Sequence, residues 1–137
     1  MSRGLMRVLA VVALLGGAAT GITGCYTACP AIGYVNGVVV DVSVFPETAA
    51  VQFCVDAECS PAPGEDETSS TNLFAASREN DGTWRLMFDM STPEEVDIRL
   101  FDAQGTVIHE SEEPIAWTHA DGPCGGPSTA DPLILEP

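Results

Sequence analysis

Apolar and polar residues alternate with a period of two in four separate stretches, and no stretch keeps a helical period. Val38, Val40, Val42 and Val44 alternate with Val39, Asp41, Ser43 and Phe45. Val51, Phe53 and Val55 flank Gln52 and Cys54; Trp84, Leu86 and Phe88 flank Arg85 and Met87; Val96, Ile98 and Leu100 flank Asp97 and Arg99. Successive side chains of a strand point to opposite faces, so each stretch predicts a strand with one apolar face. Weaker candidates cover 106–110 and 115–118, and Leu133-Ile134-Leu135 is a further apolar stretch.

The punctuation agrees. Glu79-Asn80-Asp81-Gly82 carries the Asn/Asp-Gly chemistry of a tight hairpin and predicts that 73–78 pairs with 83–88. Asp102-Ala103-Gln104-Gly105 has Asp first and Gly fourth, as a type I turn prefers. Seven short strands, starting near Val38, Val51, Leu73, Thr83, Val96, Thr106 and Leu133, predict an all-β fold. The expected form is an immunoglobulin-like or prealbumin-like antiparallel β-sandwich over residues 29–137. Residues 60–72 are polar without an apolar anchor and predict an exposed, mobile loop.

Residues 1–24 read as an address rather than as part of this fold. Arg3 and Arg7 precede an apolar run from Val8 to Ala19, and small residues follow. That order is a secretory signal, and the apolar run is shorter than the roughly 20 residues of a membrane span. The sequence Ile22-Thr23-Gly24-Cys25 resembles the lipobox of bacterial lipoproteins. The resemblance implies cleavage before Cys25, a diacylglyceryl group on its thiol, and retention on the extracytoplasmic face of the cell membrane. Two acyl chains anchor stably where one binds only reversibly. Residues 25–28 then form a tether of at most about 14 Å when extended, which keeps the domain close to the membrane.

Five cysteines are an odd number, and assigning Cys25 to lipid leaves four. An exported domain can oxidise them, in any of three pairings. The preferred pairing is Cys54–Cys59, across a short turn, and Cys29–Cys124, across a long loop worth roughly 4–5 kcal/mol in the chain-entropy model. Neither Cys-x-x-Cys nor a second close ligand pair is present, which disfavours redox and zinc sites.

Charge narrows the function. Lysine is absent, and without residues 1–24 three arginines face twenty carboxylates, a net charge of −17. Such a chain repels nucleic acid and favours cationic partners or simple solubility. His109 and His119 are the only histidines, and no Gly-x-Ser-x-Gly accompanies them, so no catalytic residue is assigned. Glu65-Asp66-Glu67 and Glu110-x-Glu112-Glu113 offer oxygen ligands, but without a calcium-loop spacing they read as solvated charge, and no metal or cofactor is assigned.

Trp117 ahead of Cys124 offers the tryptophan-on-disulfide packing of immunoglobulin-like cores. Cys124-Gly125-Gly126-Pro127, Cys29-Pro30-Ala31-Ile32-Gly33 and the Cys54–Cys59 segment together resemble small envelope lipoproteins of high-GC Gram-positive bacteria. That resemblance implies a location and a fold, and no catalytic residue. The expectation is a membrane-anchored, non-catalytic binding or scaffolding module with an envelope protein or cell-wall partner. A lipoprotein binding a metal ion or small cation is the alternative, and an enzyme of unrecognised type the third.

Overall fold

A computed structural model of the chain describes residues 28, 29, 31, 33–65 and 73–137. The signal region and Cys25 lie outside the described residues, as do residues 66–72 of the expected loop. The fold is all-β. Its strands are β1 (Gly37–Asp41), β2 (Ala50–Val55), β3 (Glu58–Cys59), β4 (Ala75–Arg78) and β5 (Trp84–Met87), followed by β6 (Glu95–Phe101), β7 (Val107–Pro114), β8 (Trp117–Thr118), β9 (Thr129–Ala130) and β10 (Leu133–Ile134). One four-stranded sheet runs β10-β1-β5-β4, a second runs β3-β2-β6-β7, and β8 and β9 form a small third.

Both larger sheets feed one core. Val38 and Val40 of β1 and Trp84 and Leu86 of β5 meet Val51 and Phe53 of β2 and Val96, Ile98 and Leu100 of β6. Each of these is an inward member of an alternating stretch, so the period of two decides which face is buried. Phe53, Phe74 and Phe88 form a ring cluster, with centroids 4.8 Å apart for Phe53 and Phe88 and 5.4 Å for Phe53 and Phe74. Such pairs add about 0.5–1.5 kcal/mol beyond the area they bury.

Local chemistry sets the strand ends. Arg78 faces Trp84 across the β4–β5 hairpin. Gly82 N–H donates to the Glu79 carbonyl with Gly82 at φ +91°, a conformation that costs glycine least. A Cβ on Gly37 would lie 2.9 Å from the Leu86 carbonyl oxygen, so glycine permits the close approach of β1 to β5.

The strands and their connections depart from the sequence expectations at five places. Val44 is 48% exposed, because β1 ends at Asp41. The Asp41 carboxylate accepts the Ser43 N–H and Phe45 N–H donates to the Val42 carbonyl, which turns the chain and packs Phe45 against the core instead. Gln52 and Cys54, expected on an outer face, are buried as well. The return through β3 covers them: Cys54 pairs with Cys59, and Gln52 Nε2 donates to the Ser60 carbonyl. Ser60 itself, expected in the exposed loop, is buried; its Oγ accepts the Phe53 N–H at 3.0 Å. Strand β10 pairs in parallel with β1, not antiparallel, since the chain returns to that sheet through a long connection containing β8 and β9. The short strands β3 and β9 add to the strands expected, whereas β8 falls within the weaker candidate at 115–118.

Asn36 anchors three segments at once. Its Nδ2 donates to the Met90 and Ser91 carbonyls, its Oδ1 accepts the Ser128 N–H at 2.7 Å, and its backbone bonds Phe88 and Asp89. It is 1% exposed, so these bonds satisfy polar atoms that water cannot reach.

Candidate partner-binding surface

Strand β7 is eight residues long and, among the described residues, pairs only with β6. Among the described residues no strand or backbone hydrogen bond covers its other edge. An edge of this kind presents unpaired N–H and C=O groups, a template for another strand unless something guards it. Its neighbour register is Val96↔Glu113, Ile98↔Ser111 and Leu100↔His109. Directly paired residues share a face, so His109, Ser111 and Glu113 stand on the inward face beside a fully apolar row. The His109 ring lies 4.3 Å from that of Phe45, while His109 Nε2 and Ser111 Oγ are buried without a hydrogen-bond partner.

The outward face is acidic. Arg99 Nε meets Glu110 Oε1 at 2.7 Å, with both side chains about half exposed. Asp97 stands directly opposite Glu112, an arrangement of like charges that costs stability. Beside it lies a shallow depression of about 360 Å³ lined by Asp56, Glu94, Glu95, Asp97 and Glu112. No cationic side chain lines it.

At the opposite side, between β2 and β4, a cleft of about 360 Å³ is lined by Val51, Pro61, Pro63, Phe74, Ala76 and Trp84. Leu73, 72% exposed, stands at its rim. Trp84 Nε1 is buried without a hydrogen-bond partner.

The residues singled out in the sequence fall in different places. Cys29 joins Cys124 with a Cα–Cα distance of 5.1 Å, and Cys54 joins Cys59. Cys29 and Cys124 are exposed, so that disulfide is not a core device. Trp117 does not pack on it as expected: its Nε1 donates to the Pro93 carbonyl at 2.7 Å and its ring meets Phe88 edge-on. The acidic triplet of β7 does not converge, because Glu112 and Glu113 are neighbours on a strand and face opposite ways. Glu65 accepts the Ala62 N–H; Asp66 and Glu67 lie outside the described residues. Among the described residues no group of three His, Cys, Asp or Glu side chains is arranged to hold a metal ion.

The histidines are far apart in role. His109 is the stacked residue of β7. His119 is exposed, with Nδ1 2.9 Å from Ser128 Oγ, a contact the sequence spacing did not reveal. Ser128 is buried, and among the described residues no carboxylate hydrogen bonds to His119, so the pair lacks the orienting acid of a triad. Two carboxyls are held below the usual aspartate value of 3.8. Thr83 hydroxyl and amide donate to Asp81, and the Ser43 amide to Asp41. Both belong to turns.

Comparison with protein-family models, with curated proteins and with solved structures finds no match for the chain.

Proposed function

We propose that the protein is an extracytoplasmic lipoprotein, cut before Cys25 and held at the cell membrane by lipid on that residue. Its domain is an immunoglobulin-like or prealbumin-like sandwich that serves as a non-catalytic binding or scaffolding module of the cell envelope. The observation that carries the module reading is the edge of β7, uncovered among the described residues, along which alternate residues turn their backbone N–H and C=O groups outward. The cleft rimmed by Leu73 gives the same reading a second surface. Support for the tether is the lipobox-like Ile22-Thr23-Gly24-Cys25 behind an apolar run, and oxidised cysteines suit an exported domain.

The test is crosslinking of the tagged full-length protein in living cells, with mass analysis of its N-terminus. The reading expects a diacylated Cys25 and one abundant envelope partner. An unprocessed N-terminus would overturn the tether, and crosslinking that captures nothing beyond background would overturn the module.

A further inference from the structure

We propose that the open edge of β7 accepts an extended basic segment of a partner protein by strand addition, with Lys or Arg side chains at alternate positions set against Glu110 and Glu112. The inference rests on the module reading and names the chemistry of its partner. Strand addition takes its affinity from backbone bonds and its selectivity from the side chains flanking them. Among the described residues β7 offers the longest bare edge; β4, at the edge of the other sheet, has four residues, and β3 and β10 have two each.

Charge selects the occupant. A segment laid along β7 would place every second side chain on the outward face, directly beside Glu110 and Glu112. Behind them stand Glu95 and Asp97 of β6, and the one arginine on these two strands, Arg99, is already paired with Glu110. Asp97 and Glu112 oppose each other with no cation between them in the sheet. A basic side chain arriving next to Glu112 relieves that repulsion. A second copy of β7 brings Glu110 and Glu112 again and deepens it. The same carboxylates therefore exclude self-pairing and admit a basic strand, so selectivity comes from repulsion as well as attraction. On the inward side, His109, Ser111 and Glu113 make a polar row that disfavours apolar strands adding at random.

The experiment uses the full-length protein in a neutral detergent and a ten-residue synthetic peptide of alternating lysine and threonine. Three comparison probes are the same peptide with glutamate for lysine, the lysine peptide N-methylated along one edge, and the Glu110→Gln/Glu112→Gln double variant of the protein. Both substituted side chains lie on the solvent face, and the variant's melting curve checks that it is folded. Strand addition predicts binding of the lysine peptide with slowed amide exchange in 107–113. It also predicts a loss of at least about tenfold on N-methylation, since several backbone bonds are removed, and a comparable loss in the double variant. Equal binding of the methylated and unmethylated lysine peptides would show attraction by charge alone and overturn the inference. So would failure of the lysine peptide to bind, or equal binding of the glutamate peptide. In cells, a partner captured equally by wild type and the double variant overturns the basic-strand inference while the module reading stands. Absence of any captured partner overturns the module reading itself.

Discussion

Strands β6 and β7 lie side by side over seven paired positions, yet they are built on opposite terms. β6 has a strand on each side, and its inward Val96, Ile98 and Leu100 are at most 1% exposed. β7 has a strand on one side among the described residues, and opposite Val96, Ile98 and Leu100 it sets Glu113, Ser111 and His109. A central strand is fixed by both ladders and by the core, so its inward face must be apolar. An edge strand is held by one ladder and can carry polar groups inward, where they discourage unwanted pairing. In the proposed reading, stability and recognition are thereby divided between two neighbours only one strand spacing apart.

Direct partners across the ladder test this division most sharply. Ile98→Ala should cost about 2–5 kcal/mol, by lost burial and the cavity left behind. Ser111→Ala, at the facing position, should change stability by less than about 0.5 kcal/mol, because its buried hydroxyl has no partner to lose. Urea denaturation of both variants measures the difference, and equal losses would break the comparison. Next in size, Leu100→Ala should again cost about 2–5 kcal/mol, whereas His109→Ala should cost about 1 kcal/mol, chiefly the ring contact with Phe45. On the outward face the effects shrink further. Glu112→Gln should stabilise by a few tenths of a kcal/mol through relief of Asp97, and Glu110→Gln should destabilise by no more than about 0.5 kcal/mol, since its pair with Arg99 is solvent-screened. Both changes should fade in high salt.

The smallest effect is a pH dependence located outside β6 and β7. Hydrogen bonds from Thr83 and Ser43 hold the Asp81 and Asp41 carboxyls below 3.8. A carboxyl depressed in the fold stabilises above its unfolded value, and that contribution disappears as pH falls through the folded value. Acid melting curves should therefore show a small loss below about pH 4, diminished in Asp81→Asn.

Where one face alone is buried, the sequence is easy to read. The inward residues of β1, β5 and β6 follow from alternation, and the β4–β5 hairpin from Asp81-Gly82, since those features depend on nearest neighbours. Four cysteines beyond Cys25 similarly announce two cross-links. Features that depend on distant chain are opaque. Burial of Gln52 and Ser60 needs the β3 return to cover β2. Asn36 looks like any loop asparagine until residues 88–91 and 128 arrive around it. The open edge of β7 is invisible for a related reason: alternation predicts a strand but not its place in the sheet, and the polar inward residues weaken the only signal. Trp117 misleads because its proximity in sequence to Cys124 is not proximity in packing.

The Cys29–Cys124 bond, which closes a long loop, has a mechanical meaning too. Strands β1 to β8 all lie between the two cysteines, and only β9 and β10 follow. Tension entering ahead of Cys29 and leaving beyond Cys124 passes across the sulfur bridge and bypasses the chain of β1 to β8 as a covalent path. Only the segment beyond Cys124 can be drawn out, beginning with the two-residue pairing of β10 on β1. A pull along the chain thus acts first on β9, β10 and the buried Leu135, and spares the β6–β7 ladder.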